Sequence, residues 1–360
     1  MAIPAHDDST AFQFHGSWRE FAPIAFTNLL LSIVTLGIYR FWATTRTRNY
    51  LWSRTRFIDE RLEWTGKGVE LMIGFFIAII LFGIPVIMLK FGLQALALRG
   101  HVALAGILFF PLYGALLYIF GLARFRALRY RLSRTFWHGI RGGSENGGWG
   151  YGWSSIWKSV IGMFALGLLI PWSMVSLWNE RWSAMSFGPH HFTSRAQSGP
   201  LMGRFLLFYL LPVAGCVALI GGVATAVATG VTATPGSASA TGILFVVLGV
   251  IAGYFAIGVI MLAYYAAFFR EAVGNLGLGG IDFNFSARTS DWLKLLLGDV
   301  VLVVCTLGIG VIFLTYRHWK FLITHLEAGG EIDLDTLTQS TAPLPKQGEG
   351  LLDAFDVGAF

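Results

Sequence analysis

The sequence predicts a mainly α fold: a polytopic α-helical membrane protein with internal repeats, re-entrant or short hairpins, and short β-strands at the cytoplasmic face. Three observations carry that class. The chain is 55% hydrophobic and only 13% charged, where a soluble domain carries about 25% charged residues, and its mean hydropathy is +0.64. Several apolar runs reach the ~20 residues that cross a hydrocarbon core of ~30 Å. One pattern, an apolar segment followed by a basic and aromatic stretch and then alternating residues, returns along the chain.

Taken in order, the N-terminal "MAIPAHDDSTAFQF" lacks a basic and an apolar region and predicts no cleaved signal peptide. Residues 71–89 ("LMIGFFIAIILFGIPVIML") and 102–123 ("VALAGILFFPLYGALLYIFGLA") each predict a spanning helix, and 205–231 and 242–269 predict two more. These form spanning pairs near 69–125 and 205–269. Residues 1–330 read as one polytopic membrane domain. Residues 331–360, with six carboxylates against one Lys, read as a disordered acidic cytoplasmic tail. Both cysteines, Cys216 and Cys305, lie in apolar runs with no metal or disulfide spacing.

The repeats are legible by direct overlay. Residues 11–51 align without a gap on residues 282–322. Phe12 then falls on Phe283, Phe14 on Phe285, "TLGI" on "TLGI", Arg46 on Arg317 and Leu51 on Leu322. A third, weaker copy is "WKSVIGMFALGLLIPWSMVSLWNERW" at 157–182, so the repeat units run near 11–66, 150–194 and 282–335. A smaller element recurs at 46–66, 124–143, 179–194, 270–286 and 316–335. In it a basic or aromatic helix end leads through a polar or Gly turn into alternating residues such as "IDFNF". Period-two alternation predicts short strands, which cannot face lipid unpaired and belong outside the membrane.

At "FHGSWREF", "NLLLSIVTLGIYRFWATTRTRNYLWS", "LEWTGKG", "SFGPHHF" and "GNLGLGGIDFNF" the chain resembles the YjgN family of bacterial inner-membrane proteins. That family is defined by sequence rather than by activity. The resemblance implies a multi-pass inner-membrane protein of a bacterium, and it brings no catalytic residues.

Two topologies fit segments 21–43, 156–178 and 295–316. Each spans once, or each is a re-entrant hairpin turning near Gly37, Gly167 or Pro171, and Gly308. In the second, a limb such as 21–35 is about 22 Å long at ~1.5 Å per residue, too short to cross. All five basic elements then share one face, and every Trp except Trp172 falls at or near it, as interfacial anchors do. In both topologies the C-terminus is cytoplasmic.

Ionisable and polar groups inside apolar segments are candidate functional groups. Asn28, Lys158 and Asp299 occupy one position of the three repeat units and form a candidate intramembrane polar site, with an ion pair between Lys158 and Asp299. The alternative for each is a headgroup-level position, capping or snorkelling. Arg46, Arg48, Arg124, Arg126, Arg129, Arg131 and Arg317 are candidate contacts for anionic phospholipids, at ~1 kcal/mol per charge. "GIRGGSENGGWGYGW" lacks the context of a phosphate-binding loop. His190 and His191 point to opposite faces of a strand, so no metal site is expected. No cofactor, nucleic acid or enzymatic motif is expected either. Two functions follow: a transporter or channel-like protein with its polar site between repeats, or a structural protein that organises lipid through a basic, Trp-rich cytoplasmic face.

Overall fold

The computed structural model describes residues 2–3, 11–210, 215, 240–331 and 337–344. Within them the three short apolar segments fold as helical hairpins. The first joins α1 (Trp18–Val34) to α2 (Arg40–Ser53). The second joins α6 (Trp149–Met163) to α7 (Ile170–Ser183), and the third joins α10 (Thr289–Cys305) to α11 (Leu314–His325). Contacts at the open ends exclude the single-span topology for the first. There the Tyr50 hydroxyl accepts from the Ser17 N–H at 3.1 Å and donates to the Ser17 carbonyl at 2.9 Å, and Arg54 meets Glu20 at 3.1 Å. At ~1.5 Å per residue these limbs are about 18–26 Å long, short of the ~30 Å core.

Each hairpin turns on a Leu-Gly pair with both residues left-handed. Leu36 and Gly37 have φ of 51° and 88°, Leu166 and Gly167 of 59° and 87°, Leu307 and Gly308 of 51° and 92°. The first and third turns close with the same hydrogen bonds. Gly37 N–H donates to Ser32 C=O at 2.7 Å and Gly308 N–H to Val303 C=O at 2.8 Å, each crossing back over the helix end as in a Schellman cap. In both, the threonine hydroxyl donates one turn back, to Leu31 or Leu302, and accepts the N–H of Tyr39 or Gly310. The leucine at each tip is about nine-tenths exposed: 94%, 89% and 94% for Leu36, Leu166 and Leu307.

Among the described residues three helical stretches are long and apolar enough to cross a membrane: Gly68–Leu98, Val102–Arg134 and Val247–Gly274. The first comprises α3 (Gly68–Ile87), one π-turn at Met88–Gly92 just past Pro85, and α4 (Leu93–Leu98). The loop expected over 90–101 therefore shrinks to the turn at residues 99–101. The second is α5 (Val102–Arg134), and the third lies within α9 (Ala240–Gly274). The fourth expected span begins as α8 (Gly199–Leu210); most of 205–231, with Cys216, lies outside the described residues.

Beyond the helix ends lies an antiparallel sheet made from the five recurring elements. The strands are β1 (Ala2–Ile3), β2 (Phe12–Phe14), β3 (Thr55–Phe57), β4 (Glu60–Arg61), β5 (Glu63–Trp64), β6 (Thr135–Trp137), β7 (Ile140–Gly143), β8 (Ser186–Phe187), β9 (His190–Ser194), β10 (Leu276–Leu278), β11 (Ile281–Phe285) and β12 (Leu326–Glu331). The order is β1-β12-β11-β10-β9-β8-β7-β6-β5, with β2-β3-β4 joined to it through Leu62. Two-residue turns at 58–59, 138–139, 188–189 and 279–280 link the paired strands, and each opens on a residue with positive φ.

The sheet is strongly curled. Laid flat at ~4.8 Å per strand, β2 and β11 would be about 38 Å apart, yet the Phe12 and Phe283 rings lie 6.3 Å apart. One apolar core fills the concavity, including Phe57, Trp137, Phe187, Phe192, Leu278 and Ile281. Phe125 and Leu128 of α5 and Ile323 of α11 plug into it. This corrects the role expected for several tryptophans. Trp52 and Trp64 are buried among the first hairpin, α5 and α11, Trp137 in the sheet core and Trp178 between α7, α8 and α9; Trp18, Trp149, Trp153 and Trp157 are exposed. Part of the tail expected to be disordered is also held. Arg141 donates to the Ala342 carbonyl at 2.5 Å, Gln339 donates to the Gly139 carbonyl at 2.9 Å, and Ala342 is buried. The other tail residues beyond Glu331 lie outside the described residues.

A Cβ at Gly37 or Gly308 would meet nothing within 4 Å, so replacement there is opposed by backbone conformation alone. Gly37→Ala and Gly308→Ala are each expected to cost about 1 kcal/mol, read as a lower unfolding temperature in detergent. Gly83→Ala, mid-helix and nearly contact-free, is expected to be neutral or stabilising.

Candidate functional site

The three polar residues singled out by position sit at corresponding places in the three hairpins, and each finds a partner on the facing limb of its own. Asn28 is 7% exposed and donates from Nδ2 to the Ala43 carbonyl and the Thr47 hydroxyl, both at 3.3 Å. Asp299 accepts from Arg317 Nε at 2.6 Å and contacts His318 Nε2 at 2.6 Å. Lys158 pairs with Glu180 at 2.5 Å. The ion pair expected between Lys158 and Asp299 is therefore not formed. They belong to different hairpins, and a partner on the facing limb satisfies each charge first. The reach is conserved in geometry: Asn28 to Thr47 and Asp299 to His318 are both contacts to the nineteenth residue on.

Between the first and third hairpins lies a cavity of about 580 Å³. Asn28, Arg40, Thr44, Thr47, Arg48, Arg131 and His318 line its polar part; Leu29, Phe269, Trp292, Ile312 and Leu314 line its apolar part. Among the described residues no carboxylate lines it. Asn28 Oδ1 is buried without a hydrogen-bond partner, so an acceptor stands open beside a cluster of cations. A groove of about 620 Å³, lined by Trp18, Tyr316, Arg317, Lys320 and His325, runs along the outer side of the third hairpin. Both spaces are lined by basic side chains together with aromatic and aliphatic ones. Among the described residues no group of three His, Cys, Asp or Glu could hold a metal.

Residues 9–354 match the family described as a bacterial protein of unknown function, DUF898. The chain belongs to the DUF898 family. It is similar to the inner membrane protein YjgN of Escherichia coli K12, at 34% identity over 79 residues, which is 21% of this chain and 19% of that relative. It is also similar to the YjgN protein of Salmonella typhimurium, at 26% identity over 168 residues, 46% of this chain and 36% of the relative. The matches thus span well under half of the curated relatives' length. No solved structure matches.

In this DUF898 protein the arginines expected to contact headgroups have diverse surroundings. Arg46 is exposed. Arg48 is buried, its guanidinium 5.0 Å from the centre of the Trp64 ring. Arg126 lies 4.7 Å over the Trp149 ring and donates to the Gly147 carbonyl. Arg129 is buried and reaches the Pro343 carbonyl at 3.4 Å. Arg131 lines the inter-hairpin cavity, Arg317 holds Asp299, and Arg124 lines a third cavity. The cause is the length of α5. It runs past the apolar stretch into the sheet core, so its basic turns are clothed by protein. Sequence reading missed Glu180, His318 and Thr47. The overlay of 11–51 on 282–322 places Thr47 on His318, so extending that comparison from residues to pairs would have found those two; Glu180, 22 residues past Lys158, lies outside it.

A double-mutant cycle on Lys158 and Glu180 checks the intra-hairpin pairing. Lys158→Met and Glu180→Leu are each expected to lose about 2 kcal/mol, below the 3–5 of a fully buried pair because Glu180 is partly exposed. The double variant should lose less than the sum, with a coupling of about 1–2 kcal/mol. Additive losses would mean the pair does not exist.

Proposed function

We propose that this DUF898 protein is a lipid-organising protein of the bacterial inner membrane, binding anionic phospholipids rather than carrying a solute or catalysing a reaction. The carrying observation is the set of three hairpins, each with its polar group paired to the facing limb of the same hairpin and an exposed leucine at its tip. A limb too short to cross, ending in a leucine, enters one leaflet and returns, displacing lipid on that side only. In this reading the hairpins are copies of one repeat unit, and the sheet, hairpin bases and C-terminus face the cytoplasm, where anionic headgroups meet basic residues. The cavity between the first and third hairpins is the lipid site: Arg40, Arg48 and Arg131 suit the phosphate end, and Phe269, Trp292 and Ile312 suit the chains. The transport reading relied on Asn28, Lys158 and Asp299 lining a common path. Closure of each within its own hairpin removes that support.

Reconstitution in phosphatidylethanolamine–phosphatidylglycerol liposomes is expected to give smaller or tubular vesicles with no solute leak above that of protein-free ones. A solute flux abolished by Asp299→Asn would instead favour transport. In a background without native cysteines, Leu36→Cys and Leu307→Cys are expected to resist aqueous maleimide from both sides. Ser198→Cys should label from the cytoplasm only; labelling from the periplasm would overturn this orientation.

A further inference from the structure

Arg181 is the largest fully buried side chain among the described residues, at 2% exposed. It lies in the last turn of α7, and neither Nε nor Nη1 has a hydrogen-bond partner. Its recorded contact is the Trp178 ring, 5.5 Å from the guanidinium carbon. The neighbouring carboxylate does not serve it, because Glu180 is engaged by Lys158. Burial pushes the Arg181 guanidinium down to about 10, Tyr151 opposing and Arg124 and Arg131 adding to the fall. The group therefore stays cationic at neutral pH, and a buried cation without a counter-charge is strongly unfavourable.

Arg181 lines a cavity of about 400 Å³ enclosed by α5, α6, α7 and α9. Arg124 lines it too, with Ser159 and Ser173 supplying hydroxyls, and Phe268 and Met174 apolar wall. Among the described residues no carboxylate lines this space. Two guanidinium groups, hydroxyl donors and an aromatic wall describe a receptor for a tetrahedral oxyanion, which a guanidinium grips through paired N–H donors. We propose that Arg181 and Arg124 bind a phosphate group in this cavity, as the headgroup phosphate of an anionic lipid or as free phosphate. The site is separate from the cavity between the first and third hairpins, and only the choice of lipid as carrier rests on the lipid-binding reading above.

The test is thermal unfolding of the full chain in detergent, titrated with phosphatidylglycerol, with diacylglycerol (which lacks the phosphate), or with inorganic phosphate. Phosphatidylglycerol or inorganic phosphate is expected to raise the unfolding temperature, and diacylglycerol is not. Whichever acts identifies the source of the anion. Arg181→Gln should raise the half-saturating concentration tenfold or more. Arg124→Gln should raise it about threefold, and it carries the test if the first variant does not fold. Arg48→Gln, in the other cavity, should retain the Arg181-dependent response. A phosphatidylglycerol response unchanged in both Arg181→Gln and Arg124→Gln overturns this site while leaving lipid binding standing. A wild-type chain unmoved by either phosphate source overturns both.

Discussion

A helical hairpin must satisfy the backbone polar groups freed at its turn, and the architecture of this chain follows from how its hairpins do so. In the first and third hairpins the carbonyls freed at the helix end are taken by N–H groups of the left-handed Leu-Gly pair, and a threonine hydroxyl bridges the remaining gap. A left-handed leucine is strained by about 1–2 kcal/mol. Its presence at all three tips, where a second glycine would relieve that strain, is explained by the other demand on the position. The tip is exposed, and in the re-entrant arrangement proposed above, where it would meet hydrocarbon, an isobutyl group is better placed there than bare backbone.

Short returning limbs impose the next feature. Both ends of each hairpin emerge on one side, so the chain is delivered repeatedly to the same face. There the spanning helices also end, at Arg134 and Gly274. Each arriving helix gives way to a strand, and each departing strand leads to the next helix. Strand edges exposed at a membrane surface would be a liability, and curling removes most of it. Bringing β2 round to β11 lets one aromatic core serve strands from every part of the sequence. The sheet holds the hairpins in place: Trp52, stacked on Trp319 at 4.1 Å and bonded to Thr135, ties the first hairpin to the third and to the end of α5.

What was legible in the sequence was local. Apolar length marked the spans at 71–89 and 102–123, and alternation in "IDFNF" and "FQF" marked strands. The shared "TLGI" located two of the turns because turn chemistry is written in adjacent residues. Partners were less legible because they depend on which limbs face each other. Lys158 and Asp299 were matched by charge and by repeat position. Once the limb returns, Glu180 and Arg317 are nearer, and proximity decides the pairing. The surroundings of the α5 arginines were unforeseen for a related reason. Hydropathy reports where apolar residues stop, and says nothing about whether the helix continues into water or into protein.

The middle hairpin shows what this economy leaves over. In the first hairpin the polar position is neutral, Asn28 with Thr47; in the third it is a carboxylate held by a guanidinium and an imidazole. The middle one reverses the sign, placing the cation Lys158 on the entering limb and drawing Glu180 from the returning one. That choice consumes the carboxylate beside Arg181. It leaves a guanidinium between hairpin and α5 with no anion among the described residues to meet it. Since an apolar side chain of similar volume would generally be as stable in such a position, packing alone does not account for an arginine there. A counter-charge from outside the chain does.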